Sequence, residues 1–139
     1  MILVDTNVFS ELVKPVPEPA VVDWLFEHRT ETALSAFVVA ELNIGIRTTP
    51  GADKRRLLTA WLERLIAEHE GRTIGFDLAM ARRWGTLSAS VLIAGGRLGS
   101  QVFDTLIAAQ AADRDLPLAT RNVRHFQGVG LTLINPWEP

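Results

Sequence analysis

Three carboxylates stand where the surrounding pattern calls for apolar residues. Asp5 follows the apolar run MILV, Glu41 sits inside FVVAELNIGI, and Asp104 sits inside VFDTLIAA. The other acids, such as Glu63, Glu68 and Asp113, fall mostly on polar faces or in loops. Each of the three has a purely structural account. Asp5 would cap a short helix after a first strand, Asp104 would cap a helix starting at Thr105, and Glu41 would pair with Arg47 on a neighbouring turn. A capping box after Asp104 is incomplete, because Ile107 stands where Glu or Gln would close it. If instead the three converge, each pair repels by roughly 4 kcal/mol at ~4 Å and an effective dielectric near 20. Protons, arginines or a divalent cation must then offset that repulsion. Hard oxygen donors with no nearby Cys or His cluster favour Mg²⁺ or Mn²⁺ over Zn²⁺. An acid cluster holding Mg²⁺ points to phosphoryl chemistry, in which the metal activates water and stabilises charge on the phosphate.

A fourth element is LATRNVRHF, where Thr120 and Asn122 follow a strand-like segment. Asn122 can bind a metal-held water or orient a carboxylate, and it can equally cap the turn VRHF; the two roles are compatible. His28, His69 and His125 lack ligand spacing to one another and read as surface or helix-end residues. No P-loop, GxGxxG or GxSxG motif is present, which removes the sequence basis for a nucleotide kinase, a dehydrogenase or an α/β-hydrolase. The chain has no cysteine, so disulfides, thiolate metal sites and a cysteine nucleophile are excluded.

The elements that would position these groups alternate between strand and helix. MILV reads as a buried strand and TNVFSELV as a turn or two of helix, ending at the proline-rich KPVPEP. AVVDWLFEHR places Val21, Trp24, Leu25 and His28 on one helical face. TALS is a short strand, and AFVVAELNIGIRTT is too apolar for a surface helix and is expected to be well buried. ADKRRLLTAWLERLIAEH carries an apolar stripe of Leu57, Leu58, Trp61, Leu62, Leu65 and Ile66. RTIGF is a strand, and DLAMARRWGTLSASVLIAG a helix capped by Asp77, which Gly95, Gly96 and Gly99 then break. VFDTLIAAQAADR is a helix, and LPLAT and LTLIN are strands. Short strands apolar on both faces, alternating with helices, define an α/β fold with a mostly parallel sheet. In such sheets ligands sit beyond the carboxyl ends of the strands, where Asp5 and Thr120 fall.

The bulk properties bound the rest. A chain of 139 residues, 47% hydrophobic and 22% charged, suits one folded domain with a full core. No basic leader precedes the first apolar run and no run approaches a membrane span, so a soluble cytoplasmic protein is expected. A net charge of −2 argues against non-specific nucleic-acid binding by the whole surface, yet permits a local basic face. Basic residues cluster at 54–56, at Arg82 and Arg83, and at Arg121 with Arg124. The four tryptophans fall at helical spacing and read as core or interface.

The segments MILVDTNVFSELVKPVPEPAVVDWL, LSAFVVAELNIGI, VFDTLIAAQAADRDLPLATRNVRHF and LINPWEP together resemble the VapC-type PIN-domain toxins of bacterial type II toxin–antitoxin pairs, the FitB-like branch in particular. The resemblance spans nearly the whole chain and rests on the ordered set Asp5, Glu41, Asp104 and TRN at 120–122. It implies a single three-layer α/β/α PIN domain and a Mg²⁺-dependent endoribonuclease, with Mn²⁺ able to substitute. It implies Asp5, Glu41 and Asp104 as metal ligands, Asn122 as the fourth catalytic position, and Thr6 and Thr120 as hydrogen-bonding support. The family's fourth position is often Asp; Asn122 removes one charge and leaves open whether a second metal binds. The resemblance also implies a homodimer, an RNA substrate and a cognate antitoxin, with DNA reached only through that antitoxin. Arg82, Arg83, Arg121 and Arg124 become candidates for RNA or antitoxin contact.

Two other readings compete. An aspartyl-phosphate phosphatase would use Asp5 as nucleophile but would want an acid two residues on, where Asn7 stands. A catalytically silent PIN module would only bind RNA or a protein partner.

Overall fold

The computed structural model describes residues 1–97 and 102–139, so Gly99 lies outside the described residues. Five strands form one parallel sheet: β1 (Ile2–Val4), β2 (Thr32–Ser35), β3 (Thr73–Ile74), β4 (Leu118–Ala119) and β5 (Leu133–Ile134). Among the described residues six helices connect them: α1 (Thr6–Glu11), α2 (Pro19–Glu27), α3 (Ala36–Arg47), α4 (Ala52–Glu68), α5 (Leu78–Ile93) and α6 (Val102–Arg114). A 3₁₀ turn, Val123–Phe126, joins β4 to β5. The strand order is β3-β2-β1-β4-β5. Every residue of β1 and β2 is buried, which requires helices on both faces of the sheet.

This order makes β1 the strand from which the chain winds outward in both directions. The segment after β1 crosses to β2 on one side, and the connection after β3 returns over the sheet to place β4 on the other. A crevice therefore opens beyond the carboxyl end of β1, between it and β4. Register fixes what faces it. Val4 pairs with Ala119, so the next residues, Asp5 and Thr120, emerge side by side. The Asp5 amide donates to the Ala119 carbonyl at 2.9 Å, and the Thr120 amide to the Ile134 carbonyl at 2.9 Å.

The core gathers Leu3, Val4, Val8, Val21, Leu34, Val38, Ile107 and Leu118, all without solvent exposure, around the central strands. Polar ties lock the helices to it. Gln110 on α6 is fully buried; its Oε1 accepts from Ser35 Oγ at 2.6 Å, and its Nε2 donates to the carbonyls of Ile74 (3.1 Å) and Gly75 (2.7 Å). Glu11 is buried at the end of α1, paired with Lys14 at 2.6 Å, and accepts from the Glu18 amide at 3.0 Å, which closes the proline-rich loop.

Three expectations need correction. The segment at 36–49 is not buried throughout: α3 hides only Val38, Leu42 and Ile46, and Ile44 is half exposed. Ridges of a helix meet its neighbours along one stripe, and apolar residues elsewhere on it stay in water. Leu57 likewise leaves the α4 stripe and is exposed, while Leu62 and Leu65 are buried. His69 ends its helix as expected but is buried: Nδ1 bonds the Leu65 carbonyl at 2.7 Å and Nε2 meets Thr32 Oγ1 at 2.9 Å. The imidazole thereby satisfies both nitrogens and ties the end of α4 to the start of β2.

Candidate active site

Asp5 is the N-cap of α1. Its backbone is extended, and its Oδ1 accepts from the Thr6 amide at 2.7 Å, so the capping account holds. Capping uses only part of this carboxylate. Its Oδ2 accepts from Thr120 Oγ1 at 2.8 Å and from Asn7 Nδ2 at 3.2 Å, and the side chain is almost wholly buried. Thr120 also accepts from the Asn122 amide at 3.0 Å, which fastens the turn after β4. The Arg121 amide donates to Asn7 Oδ1 at 3.2 Å, so the turns after β1 and β4 are stitched twice.

Glu41 reaches this centre from the middle of α3. No ion pair with Arg47 forms; instead Thr6 Oγ1 donates to Glu41 Oε1 at 2.8 Å. Thr6 and Asp5 are consecutive, so Glu41 is one hydrogen-bonding residue removed from Asp5. Asp104 sits in the first turn of α6, which starts at Val102 rather than at Thr105. Its Oδ2 accepts from His125 Nδ1 at 2.8 Å.

The three acids share one electrostatic environment. Burial pushes the carboxyl of Asp5 above the usual range, and the charge of Asp104 adds to that push, against the Thr120 and backbone bonds that favour ionisation. Burial also raises Glu41, and the charges of Asp5 and Asp104 raise it further. Among the described residues no Lys or Arg forms an ion pair with Asp5, Glu41 or Asp104; His125 bonds Asp104, and Arg97 lines the same small cavity as these two without pairing with either acid oxygen.

A divalent cation of the Mg²⁺ type asks for oxygen donors at close spacing. In type the donor set fits: all three are carboxylates, none is ion-paired to an arginine, and burial with neighbouring charge raises Asp5 and Glu41. In spacing it is open, because among the described residues no group of three or more His, Cys, Asp or Glu side chains is gathered to hold an ion as it stands.

The remaining candidates divide. Asn122 is exposed at the head of the 3₁₀ turn and makes no side-chain cap bond, so the capping account of this residue falls. Arg121 and Arg124 line a shallow groove of about 400 Å³ with Asn122 and His125, and the Arg121 guanidinium lies 5.0 Å above the Trp137 ring. Arg83 is not brought to the site. It pairs with Asp113 at 3.2 Å and lines a different depression beside Pro117 and Thr132, at the amino ends of β4 and β5. Arg82 is exposed on the same helix. Two participants were not anticipated as site residues. Asn7 had a local signal, since Asn two residues after an acid can bond it; His125 had none, because its partner is 21 positions away.

The sheet is parallel and carries one buried acid, Asp5, at the turn beyond its central strand, with Glu41 and Asp104 partly exposed on the helices around it. The chain belongs to the PIN-domain family, whose model matches residues 2–130. It is 39% identical to the VapC ribonuclease Y4jK of Sinorhizobium fredii over 141 residues, covering 100% of this chain and 99% of that protein. It is 34% identical to toxin FitB of Neisseria gonorrhoeae, over 99% of both chains. The crystal structure of FitAcB from Neisseria gonorrhoeae superposes with a TM-score of 0.90 at 33% identity, covering both chains fully. The fold is shared more widely, with a TM-score of 0.79 at 23% identity to DNA-bound VapBC from Salmonella typhimurium, over 98% of this chain and 99% of that one. Among the described residues no helix is long and apolar enough to cross a membrane.

Proposed function

We propose that this protein is the toxin of a toxin–antitoxin pair and acts as a Mg²⁺- or Mn²⁺-dependent endoribonuclease. The observation that carries this reading is that Thr6 bonds both Asp5, at the end of β1, and Glu41, on α3, while the charge of Asp104 on α6 reaches both of them. The names of the relatives, a VapC ribonuclease and a FitB toxin, support both the activity and the biological role. The structural relatives are solved as FitAB and VapBC complexes, which supports a cognate antitoxin as partner.

Asp5, Asp104 and Glu41 would hold the cation, with Asp5 and Asp104 its most direct ligands. When bound, the ion lowers the pKa of water and offsets charge on the phosphodiester. The chain supplies the rest. Thr120, Asn7 and the Thr6 amide fix both oxygens of Asp5, so the carboxylate does not have to reorganise when a substrate arrives. Thr6 does the same for Glu41. Asn122 presents a neutral amide at the rim, suited to orient water or a phosphate oxygen without adding negative charge. Arg121 and Arg124 on the same rim can take backbone phosphates, positioning an RNA strand without reading its sequence. DNA contact would belong to the complex with antitoxin, and the active form would be a homodimer.

The test is RNA cleavage with Mg²⁺ by wild type and by Asp5→Asn and Asp104→Asn. Both substitutions are expected to abolish cleavage in folded protein, and full cleavage by Asp5→Asn would overturn the reading. The open spacing of the acids favours one alternative, a silent module that binds RNA or protein. Absence of Mn²⁺ binding in the presence of RNA would select it.

A further inference from the structure

His125 stands outside the acid set, yet it is the one side chain among the described residues that bonds Asp104. A carboxylate has no proton to give, so Nδ1 carries the hydrogen and donates it to Oδ2. The contact is direct, at 2.8 Å, and partly shielded: the side chain of Asp104 is 20% exposed and that of His125 is 38% exposed. Both line a small cavity of about 90 Å³ with Arg97, Thr105, Ala108 and Phe126; Arg97 makes no hydrogen bond or ion pair to Asp104 there. The two residues come from elements that the fold holds rigidly. His125 lies in the 3₁₀ turn whose Phe126 is buried in the core, and its amide bonds the Asn122 carbonyl at 3.0 Å. Asp104 lies one turn before Ile107 and Ala108, which are buried on α6.

A carboxylate offers about four lone-pair positions, and one donor on Oδ2 leaves Oδ1 and a second lone pair for other partners. The pairing therefore orients Asp104 without consuming it. Asp5 and Glu41 are each held by neighbouring hydroxyls or amides, whereas Asp104 has His125 alone. Side chains that donate to a ligating carboxylate fix its rotamer, and their loss typically weakens metal binding by about 10–100-fold.

The geometry points to His125 as a positioning residue of the acid centre: through Nδ1–H···Oδ2 it restricts the side chain of Asp104 and leaves Oδ1 to a divalent cation that Asp5 and Glu41 would share. This rests on the metal-dependent reading above. The experiment is Mn²⁺ titration of the full chain, followed by electron paramagnetic resonance, for wild type, His125→Phe, His125→Asn and Asp104→Asn. The amide of Asn can place a donor near the position of Nδ1, while Phe keeps the ring and removes the donor. His125→Phe is expected to weaken Mn²⁺ binding about 10-fold or more, and His125→Asn to stay within about 3-fold of wild type. Unchanged or tighter binding by His125→Phe overturns the proposal, and so does an Asn variant as weak as Phe. If Asp104→Asn abolishes binding while His125→Phe does not weaken it, the metal site stands and the role of His125 falls. If wild type binds no Mn²⁺, with or without RNA, the metal-dependent reading falls and takes this proposal with it.

Discussion

Replacing Thr120 with Val isolates the contact that joins the two turns of the acid centre. The side chain has no solvent exposure, and Val matches its shape, so the change is chemical rather than steric. Two hydrogen bonds are lost. The donor to Asp5 Oδ2 at 2.8 Å serves a charged group and is worth about 1.5–3 kcal/mol. The acceptor for the Asn122 amide at 3.0 Å is worth about 0.5–1.5 kcal/mol. Together they predict a destabilisation of roughly 2–4.5 kcal/mol at neutral pH, since nearly buried Asp5 cannot recover the lost donor from water. With a urea dependence near ~2 kcal/mol per molar, the unfolding midpoint falls by roughly 1–2 M. Thr120→Ser keeps the hydroxyl, loses one methyl, and should cost only about 1 kcal/mol. A double-mutant cycle with Asp5→Asn should return a coupling of about 1–3 kcal/mol. Urea melts followed by circular dichroism read wild type, the three single variants and the double variant. A Val variant within about 0.5 kcal/mol of wild type, or a Ser variant as damaged as Val, would refute the argument.

Other outcomes follow from the same contacts. The folded pKa of His69 lies below its ordinary 6.5, chiefly through burial, so the unfolded chain binds the extra proton. Stability should therefore fall as pH drops below about 6.5, and His69→Gln should flatten that part of the urea-midpoint profile. For Asp5 and Glu41 the sign is opposite: their folded pKa values are raised, so in EDTA stability is present at low pH and is lost as pH rises through those values. Glu41→Gln should reduce that loss, and an unchanged profile would count against a shared acid environment. Mn²⁺ at ~100 times its dissociation constant should restore about 2.7 kcal/mol to wild type and nothing to Asp5→Asn, as a thermal shift assay would show. Gln110→Leu strands the Ile74 and Gly75 carbonyls and is expected to cost about 2–5 kcal/mol in a urea melt. Arg83→Ala breaks a pair whose arginine is half exposed and should change stability by about 1 kcal/mol or less while leaving RNA cleavage intact.

Much of this molecule was legible in its sequence because period and interruption are local properties. The apolar runs at MILV and TALS marked strands buried on both faces, and the acids that interrupt apolar stretches at Asp5, Glu41 and Asp104 marked the residues whose charges couple in the fold. Asp77 caps α5 as its position suggested, accepting from the Met80 amide at 2.9 Å. Side-chain partners were far less legible. Glu41 looked toward Arg47 along its own helix, but α3 packs beside α1 and delivers it to Thr6. Arg83 belongs to a basic pair in sequence, but α5 carries it to Asp113 and the amino ends of β4 and β5, away from the acids.

The sequence by itself marked three carboxylates inside apolar stretches of a parallel α/β chain, where burial is costly without a partner; the fold buries Asp5 and leaves Glu41 and Asp104 partly exposed. Only the tertiary structure decided who compensates. Strand order placed β4 beside β1, which set Thr120 against Asp5 across 115 positions of chain. Helix packing brought His125 to Asp104, and no periodicity in either segment encodes that meeting. Hydrogen bonds of this kind depend on distances of a few ångströms between distant segments, and those distances exist only once the whole core has closed.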